Sequence, residues 1–264
     1  MMSDSAELKA RYDSFASSLD YKTTACDYQL RELEINLGSS YMSDGQRVLD
    51  VGCGLGYAPV QYASRKALTA FGIDYSEKMI EGANRLLGET KPDLRGAVSF
   101  RHASVLELPF DSGSLDVVTS SRCLMALLEW ELQKQALVEI HRVLKPGGLL
   151  VMMEGTFDGL ERLNEMRGRF GLDAIAADGK DRLFTLKFRE SELLEFTKPF
   201  YVLEHTQRFG MYYFLTRVVQ PLLVAPDRPS YDHKLNEVAR EIAKLVPDFE
   251  GLGHLVGLVL AKRH

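Results

Sequence analysis

The sequence predicts an α/β fold built around a mostly parallel sheet. Short apolar runs recur along the chain, and segments with helical periodicity lie between them. Strands that alternate with helices in this way are typical of βαβ units. The first apolar run, residues 47–52, ends in glycines. Open sheets of this class bind ligands at the carboxyl ends of their strands, so a ligand site is expected there.

Most predicted strands are short apolar runs, as expected for strands that are buried on both faces, whereas apolar and polar residues alternate over residues 200–209. The first five of these runs are residues 47–52, 68–73, 97–101, 115–119 and 149–153. Two further strands are predicted near the carboxyl end, at residues 200–209 and 254–262.

Apolar residues at helical spacing predict the first three helical segments. Leu30, Leu33 and Leu37 predict a helix over residues 5–37 that ends at Gly38. A second helix, capped by a serine, is predicted at residues 77–89. A third is predicted at residues 131–144, where it stops at a Lys-Pro-Gly-Gly turn.

After the fifth strand the pattern is mostly helical. Helical pieces are predicted within residues 157–189, at 190–197 and within 211–246, where a proline-rich loop separates two helices. In the last of these helices one apolar face is predicted, formed by Leu235, Val238, Ile242 and Leu245.

The chain is predicted to have an N-terminal helical cap, residues 1–46, and a main domain, residues 47–264. Two insertions, at about 157–189 and 211–247, interrupt the main domain. Segments inserted at such positions commonly cover the site of an α/β protein. We therefore expect these two insertions to build a helical acceptor cap.

The composition is that of an ordinary folded protein. Of 264 residues, 45% are hydrophobic and 26% are charged, and the net charge is −5. These values exclude collagen-like, low-complexity and disordered chains. No block of Lys and Arg forms the basic stripe that phosphate neutralisation requires, so we expect no nucleic-acid partner.

Cysteine content and hydropathy indicate the compartment. Cys26, Cys53 and Cys123 form no CxxC motif, so the sequence predicts neither a disulfide scaffold nor a metal site. No run of about 18 apolar residues is present, and the N-terminal segment is polar with mixed charge. We expect a cytoplasmic protein with neither a membrane span nor a signal peptide.

The most specific local signal is the segment Val-Leu-Asp-Val-Gly-Cys-Gly-Leu-Gly, residues 48–56. A strand that runs into glycines allows a ligand to approach the backbone closely. The spacing is GxGxG, and Tyr57 stands where the dinucleotide fingerprint GxGxxG has its third glycine, which disfavours an NAD-dependent oxidoreductase. Asp74 ends the next strand about 20 residues later, where a carboxylate can bind both hydroxyls of a ribose.

These motifs resemble those of the class I S-adenosylmethionine-dependent methyltransferases of the small-molecule type. The resemblance covers roughly residues 47–156, and its pieces are VLDVGCGLG (48–56), GIDYSEKMI (72–80), ASVLELPF (103–110), LDVVTSS (115–121) and EIHRVLKPGGLLVMME (139–154). It implies a Rossmann-like, seven-stranded sheet with helices on both faces. It also implies S-adenosylmethionine as the cofactor and S-adenosylhomocysteine as the product.

The resemblance also implies a role for individual cofactor-binding residues. The glycine loop, organised by Asp50, would pass beneath the methionine part of the cofactor, and Asp74 would bind the ribose. The remaining residues would contact the adenine or lie beside the sulfonium and the acceptor. Serine stands at 104, where the family often has aspartate to accept a hydrogen bond from the adenine, and serine accepts one more weakly. The implied set is Asp50, Gly52, Cys53, Gly54, Asp74, Tyr75, Met79, Ser104, Val105, Ser121 and Arg122.

Residues for catalysis and acceptor binding are predicted from position and residue type. An oxygen or carbon acceptor can require a general base, and the candidates are Glu154, His102, His205 and His233. Candidates for the acceptor site are two basic and two aromatic residues of the insertions, Arg167, Arg169, Tyr212 and Tyr213.

The function expected from the sequence is methyl transfer to oxygen or nitrogen of a small molecule such as a sugar, a glycan precursor or a secondary metabolite. The alternative is a non-catalytic S-adenosylmethionine-binding regulatory or partner module. We expect a monomer or a homodimer.

Overall fold

The computed structural model describes residues 10–23, 26–176 and 185–263. Within these ranges seven strands form one sheet, and each strand matches a predicted apolar run to within a few residues, except that the fifth begins earlier. The strands are β1 (Arg47–Val51), β2 (Thr69–Asp74), β3 (Ala97–His102), β4 (Leu115–Ser121), β5 (Leu144–Gly155), β6 (Tyr201–Gln207) and β7 (Leu255–Lys262).

The sheet has the strand order β3-β2-β1-β4-β5-β7-β6. The first five strands pair in parallel, and β7 runs antiparallel to both of its neighbours. The order reverses at β1, between β2 and β4, which is the switch point where open α/β sheets bind ligands. This topology confirms the predicted seven-stranded, mostly parallel sheet.

Helices cover both faces of the sheet. They are α1 (residues 10–16), α2 (Tyr28–Ser40), α3 (Tyr57–Arg65), α4 (Glu77–Thr90), α5 (Trp130–Val143), α6 (Phe157–Arg169), α7 (Glu190–Thr197), α8 (Gly210–Phe214), α9 (Gln220–Val224) and α10 (Lys234–Leu245). Among the described residues, none of the helices has the length and apolar character needed to cross a bilayer.

Two apolar cores form because successive residues of a strand point to opposite faces of the sheet. On one face, Val48 of β1 packs with Leu30 of α2 and Tyr62 of α3. On the other, Leu49 of β1 packs with Ile140 of α5. The inner strands β1, β4, β5 and β7 are thus mostly buried, as their apolar runs predict, whereas the edge strands β3 and β6 are largely exposed.

The prediction of one continuous N-terminal helix over residues 5–37 is wrong. The described chain leaves the helix after residue 16, and Leu19 has a φ of 51°. The carboxylate of Asp27 then accepts a hydrogen bond from the Leu30 N–H and starts α2 as a separate helix. Residues 5–9 of the prediction lie outside the described residues.

Gly38 does not end α2, which continues to Ser40. A Cβ atom at Gly38 would lie 2.7 Å from the hydroxyl oxygen of Tyr62, which is fully buried. The glycine therefore permits close packing of α2 on α3 rather than a helix end.

We expect Gly38→Ala to lower the free energy of unfolding by about 1–2 kcal/mol, because Tyr62 must shift within a packed core. In α4, Gly88 has open space around its Cβ position. There alanine should stabilise the helix by about 0.5–1 kcal/mol. Urea unfolding of the two variants checks both signs, and stabilisation by both substitutions would contradict the packing explanation.

The apolar face predicted for α10 is also wrong. Asn236, Ala239 and Ala243 are the buried residues of this helix, whereas the side chain of Leu245 is 83% exposed. Small side chains allow α10 to lie close to α8 and α2, and the larger apolar residues are left beside or outside the contact. Pro221, in the segment predicted as a proline-rich loop, lies instead in α9, which continues directly from a π-helical segment over Leu215–Val219.

Candidate functional site

A cavity of about 670 Å³ lies at the carboxyl ends of β1, β2 and β4. Its volume is in the range of small-molecule sites. All eleven residues that the family resemblance implies for the cofactor line this one cavity: Asp50, Gly52, Cys53, Gly54, Asp74, Tyr75, Met79, Ser104, Val105, Ser121 and Arg122.

The glycine loop after β1 forms the floor of the cavity. Gly52 and Gly54 have φ values of 71° and 54°, which favour glycine. A Cβ atom at Gly52 would lie 2.6 Å from Sγ of Cys123, so the loop packs directly against the segment that follows β4. This close approach brings the ends of β1 and β4 together at the cavity.

Asp74 is oriented by the backbone around it. Its Oδ2 accepts a hydrogen bond of 2.9 Å from the Gly54 N–H, and its Oδ1 accepts one of 2.8 Å from the Ser76 N–H. Burial raises the pKa of Asp74, although these two hydrogen bonds oppose the rise. A carboxylate offers about four lone pairs, so roughly two are left for a ligand in the cavity.

Asp50 lies beneath the glycine loop. The hydroxyl of Thr119 on β4 donates a hydrogen bond of 2.6 Å to its Oδ1. Burial raises the pKa of Asp50 to about 7, against the opposing effect of that hydrogen bond. A ligand that brings positive charge near this carboxyl would favour its ionised form.

The side of the cavity next to β2 and β3 includes apolar residues such as Met79, Val105 and Leu106. Met79 of α4 is fully buried there, and Tyr75 is 56% exposed at the rim. The Ser104 hydroxyl accepts a hydrogen bond of 3.1 Å from the Leu106 N–H. It retains its own O–H as a donor, as well as a second lone pair.

An ion pair lies opposite, between α2 and the end of β4, with the Glu34 side chain buried and the Arg122 side chain half-buried. Arg122 donates from Nε to Oε1 of Glu34 at 3.2 Å and from a terminal nitrogen to Oε2. Burial alone would lower the pKa of Arg122, but the Glu34 carboxylate outweighs burial, and the pKa is raised. Glu34 lines the cavity, and no sequence motif marks it.

Arg31, one turn before Glu34 on α2, is a second lining residue that sequence reasoning misses. Its guanidinium donates to the Tyr21 carbonyl at 3.0 Å and lies 5.1 Å from the ring centre of Tyr57. Among the described residues no carboxylate lies within 4 Å of it. Burial, together with the charge of Arg122, lowers the pKa of Arg31. Because this buried guanidinium has no carboxylate bonded to it within the described part of the chain, it fits an anionic group of a ligand.

The cavity is covered by the N-terminal region and by the segment after β4. One wall is formed by Tyr12 of α1 together with residues of α2, and the other wall is formed by residues 126–129. Burial raises the pKa of Tyr12 to about 12. Tyr21 does not line the cavity and packs instead against the ring of Tyr57, with ring centres 4.8 Å apart.

Glu154 does not reach the cavity. Its carboxylate accepts hydrogen bonds from the Ser120 hydroxyl and from the backbone N–H groups of residues 123, 124 and 125. Burial raises its pKa in spite of these partners. The residue therefore fixes the turn after β4, and the prediction that it is a general base is not supported by its position.

The three candidate histidines also lie outside the cavity lining. Nε2 of His102 lies 3.0 Å from the Tyr75 carbonyl oxygen. His205 is on β6 with its ring beside Tyr41, and the His233 side chain caps α10. None of the three is positioned to accept a proton from a ligand in the cavity.

The four residues predicted for the acceptor site lie elsewhere as well. Arg167 donates to backbone carbonyls of Asp173 and Arg217, and Arg169 is exposed at the end of α6. Tyr212 and Tyr213 are fully buried, and the Tyr212 hydroxyl donates to Asp27. The described parts of both insertions therefore contribute no residue to this cavity, and residues 177–184 of the first lie outside the described residues.

Comparisons with known proteins show what the segment around the cavity is similar to. Residues 49–152 match the family described as a methyltransferase domain. The O-methyltransferase resE of Aspergillus sclerotiorum is 34% identical over 142 residues, which are 54% of this chain and 51% of that protein. The 27-O-demethylrifamycin SV methyltransferase of Amycolatopsis mediterranei is 32% identical over 142 residues, 53% of this chain and 48% of that protein. The chain spans about half the length of these curated relatives.

The fold is shared with solved structures. A chain of the complex that contains the Trm112 methyltransferase activator of Haloferax volcanii superimposes with a TM-score of 0.64 at 19% identity, covering 97% of this chain and 98% of that chain. The sequence match runs from β1 to β5 and so includes the glycine loop and Asp74. On the motifs, the fold and these matches, residues 49–152 are similar to the methyltransferase-domain family, which supports the resemblance to the class I S-adenosylmethionine-dependent methyltransferases.

Proposed function

We propose that this protein transfers a methyl group from S-adenosylmethionine to an oxygen or nitrogen atom of a small molecule. The observation that carries this proposal is the single cavity in which the glycine loop and Asp74 lie opposite the Glu34–Arg122 pair. One side of the cavity suits a nucleoside and the other a polar acceptor group. The names of both relatives describe methyl transfer to small molecules or to oxygen, which agrees with this assignment.

The residues present fit the cofactor in charge and in shape. The free lone pairs of Asp74 would accept hydrogen bonds from the two ribose hydroxyls. Met79 and Tyr75 would flank the adenine. The Arg31 guanidinium would bind the α-carboxylate, and Asp50, on β1, would lie beneath the methionine part of the cofactor.

The bound cofactor supplies an activated methyl group, so the protein needs to do little covalent chemistry. The chain's own residues align the acceptor and exclude water. Apolar residues after β4, including Leu127, Leu128 and Leu132, line the cavity beside Arg122 and provide a water-poor wall. Alignment and desolvation are therefore the main contributions we assign to the protein.

We place the protein in the cytoplasm as a monomer or homodimer without a nucleic-acid partner. The net charge of −5 disfavours binding to polyphosphates. Residues 1–46 would serve as the cap over the cavity, since Tyr12 and α2 already cover it. The insertions would support this cap through the packing of α10 and α8 rather than contact the acceptor.

Calorimetric titration with S-adenosylmethionine, S-adenosylhomocysteine and NAD tests the cofactor, and transfer of a labelled methyl group to a panel of small acceptors tests the reaction. We expect micromolar binding of the first two and none of NAD. Binding of NAD alone would overturn the family assignment of the site. Cofactor binding without transfer to any acceptor would favour a non-catalytic regulatory or partner module.

Arg31→Met should reduce the affinity for S-adenosylmethionine about 10-fold, because a charged hydrogen bond to the carboxylate is lost. Affinity for methylthioadenosine, which lacks the amino-acid part, should not change. The same substitution should stabilise the ligand-free protein, because a buried cation without a carboxylate partner is removed. Arg85→Met, on the exposed face of α4, is the matched control. Equal losses for both ligands would contradict this role.

A further inference from the structure

The Glu34–Arg122 pair lies where an acceptor must approach the reacting end of the cavity. Arg122 directly follows β4, and the adjacent Cys123 contacts the glycine loop at Gly52. Glu34 reaches the same place from α2, and both side chains line the cavity. If the cofactor binds as proposed above, this pair borders the space beside its methyl group.

The backbone of Arg122 is strained to hold this position. Its φ of 55° lies in the left-handed region, which is unfavourable for a residue with a long side chain. The Arg122 N–H donates a hydrogen bond of 3.0 Å to the Met153 carbonyl on β5, which fixes the conformation. Strain of this kind persists mainly where the side-chain direction is needed for function.

Hydrogen-bond capacity remains on both members of the pair. Arg122 has five N–H groups, and two of them donate to Glu34. Among the described residues the other three have no partner. Glu34 has about four lone pairs, and three accept from Arg122 and from the Ser121 hydroxyl at 3.3 Å. One acceptor position and up to three donors are therefore left for a ligand.

A hydroxyl group matches this remaining capacity. Its O–H donates to Glu34, and its lone pair accepts from Arg122. A protonated amine has no lone pair for Arg122, and a carboxylate has no proton for Glu34. The pair has no net charge, and the apolar residues that line the same cavity include Ile35, Ala126 and Met153. The surrounding wall thus favours an uncharged, largely apolar skeleton around the hydroxyl.

We propose that Glu34, held in place by Arg122, receives the proton of a neutral hydroxyl on an apolar acceptor molecule. The proposal rests on the methyltransferase function proposed above. The acceptor O–H bond breaks and its proton moves to the Glu34 carboxylate. The oxygen lone pair forms the new bond to the methyl carbon, and the electron pair of the broken carbon–sulfur bond stays on sulfur. The proton then passes to solvent.

Binding to the protein saturated with S-adenosylhomocysteine tests the recognition step. Naphthol, methoxynaphthalene and naphthalenecarboxylate share one apolar skeleton and differ in the polar group. We expect naphthol to bind about 10- to 100-fold more tightly than the methyl ether, as for a hydrogen bond to a charged group. Glu34→Gln should remove most of this preference and leave the affinity for S-adenosylhomocysteine within about 3-fold. Tighter binding of the carboxylate would overturn the acceptor class.

Methyl transfer tests the proton step. We expect Glu34→Gln to reduce kcat with naphthol about 100-fold, the usual scale of general-base catalysis. With the more acidic nitronaphthol, which ionises without help, the loss should be much smaller. Glu32→Gln is the matched control, because Glu32 lies on the same helix but pairs with Arg65 and Tyr57 outside the cavity. The control variant should transfer methyl groups at the wild-type rate.

Besides tighter binding of the carboxylate, two outcomes would overturn the proposal while leaving the proposed function intact: an equal loss with both naphthols, or wild-type activity confined to amines. If the wild type binds the cofactor and methylates nothing, the proposed function itself fails. Should Glu34→Gln unfold because Arg122 loses its partner, the double variant Glu34→Gln/Arg122→Gln removes both charges. It should bind S-adenosylhomocysteine and show the same loss of preference for naphthol over its ether.

Discussion

Asp74→Ala is expected to weaken binding of S-adenosylmethionine and S-adenosylhomocysteine by about 100-fold or more. The substitution removes the carboxylate that would accept hydrogen bonds from both ribose hydroxyls, and hydrogen bonds to charged groups contribute about 1.5–3 kcal/mol each. It also leaves the N–H groups of Gly54 and Ser76 without their acceptor, so the glycine loop loses an anchor. Isothermal titration calorimetry measures both affinities directly.

The ribose role of Asp74 can be separated from its role in anchoring the loop. The analogue of methylthioadenosine that lacks the ribose 2′-hydroxyl should bind the wild type more weakly than its parent, but the two should bind Asp74→Ala equally. Asp44→Ala is the matched control, because Asp44 accepts a backbone N–H at the surface, from Ala67. A folded Asp74→Ala protein with affinity within about 3-fold of the wild type would refute the assignment.

The fold could be predicted because its signals are local. Most strands are apolar runs between glycine, proline or capping residues, and β6 shows a partly alternating pattern, so all seven strands are predicted from local sequence. The errors arose where tertiary packing overrides local pattern. Gly38 reads as a helix end but lies within α2, since Tyr62 leaves no room for a side chain. In α10 the small residues face the protein because only they allow close helix packing.

The sequence identifies the lining residues on one side of the cavity but not those on the other. The glycine loop and Asp74 follow strands at fixed spacing, and the parallel sheet alone brings strand ends together. Arg31 and Glu34 lie in a helix whose charged residues resemble those of any solvated face. Only the docking of α2 over the sheet turns these two side chains into the cavity. No spacing rule within the sequence contains that information.

The predicted acceptor residues failed for a related reason. Aromatic and basic residues in an insertion suit a ligand site, but here they join helices to one another. The Tyr212 hydroxyl and the Arg217 guanidinium both donate to Asp27, the residue that caps α2. The inserted helices therefore act on the cavity indirectly, by fixing the start of the helix that carries Arg31 and Glu34.

Glu190→Gln is expected to lower the free energy of unfolding by about 2 kcal/mol near neutral pH. The Glu190 carboxylate accepts hydrogen bonds of 2.6–2.8 Å from Arg208 and Arg162, and one of 3.0 Å from the Thr156 hydroxyl. It thereby joins β6, α6 and the end of β5. Removing one partner of a fully buried pair costs about 3–5 kcal/mol. Partial exposure to solvent reduces that cost here.

The pH dependence of this loss distinguishes the ion pairs from simple packing. Burial alone would raise the pKa of Glu190, but the hydrogen bonds from Arg208 and Arg162 lower it to about 2. Because the folded-state pKa lies below the ordinary value near 4.5, the stabilisation is present above that value and is lost as pH falls toward 2. Urea unfolding should therefore show that the difference in free energy of unfolding between wild type and Glu190→Gln narrows below about pH 5.

Glu161→Gln, which breaks an exposed pair with Arg189, is the control and should cost less than about 0.5 kcal/mol. A gap for Glu190→Gln that does not change with pH would mean that its charge contributes nothing to this junction.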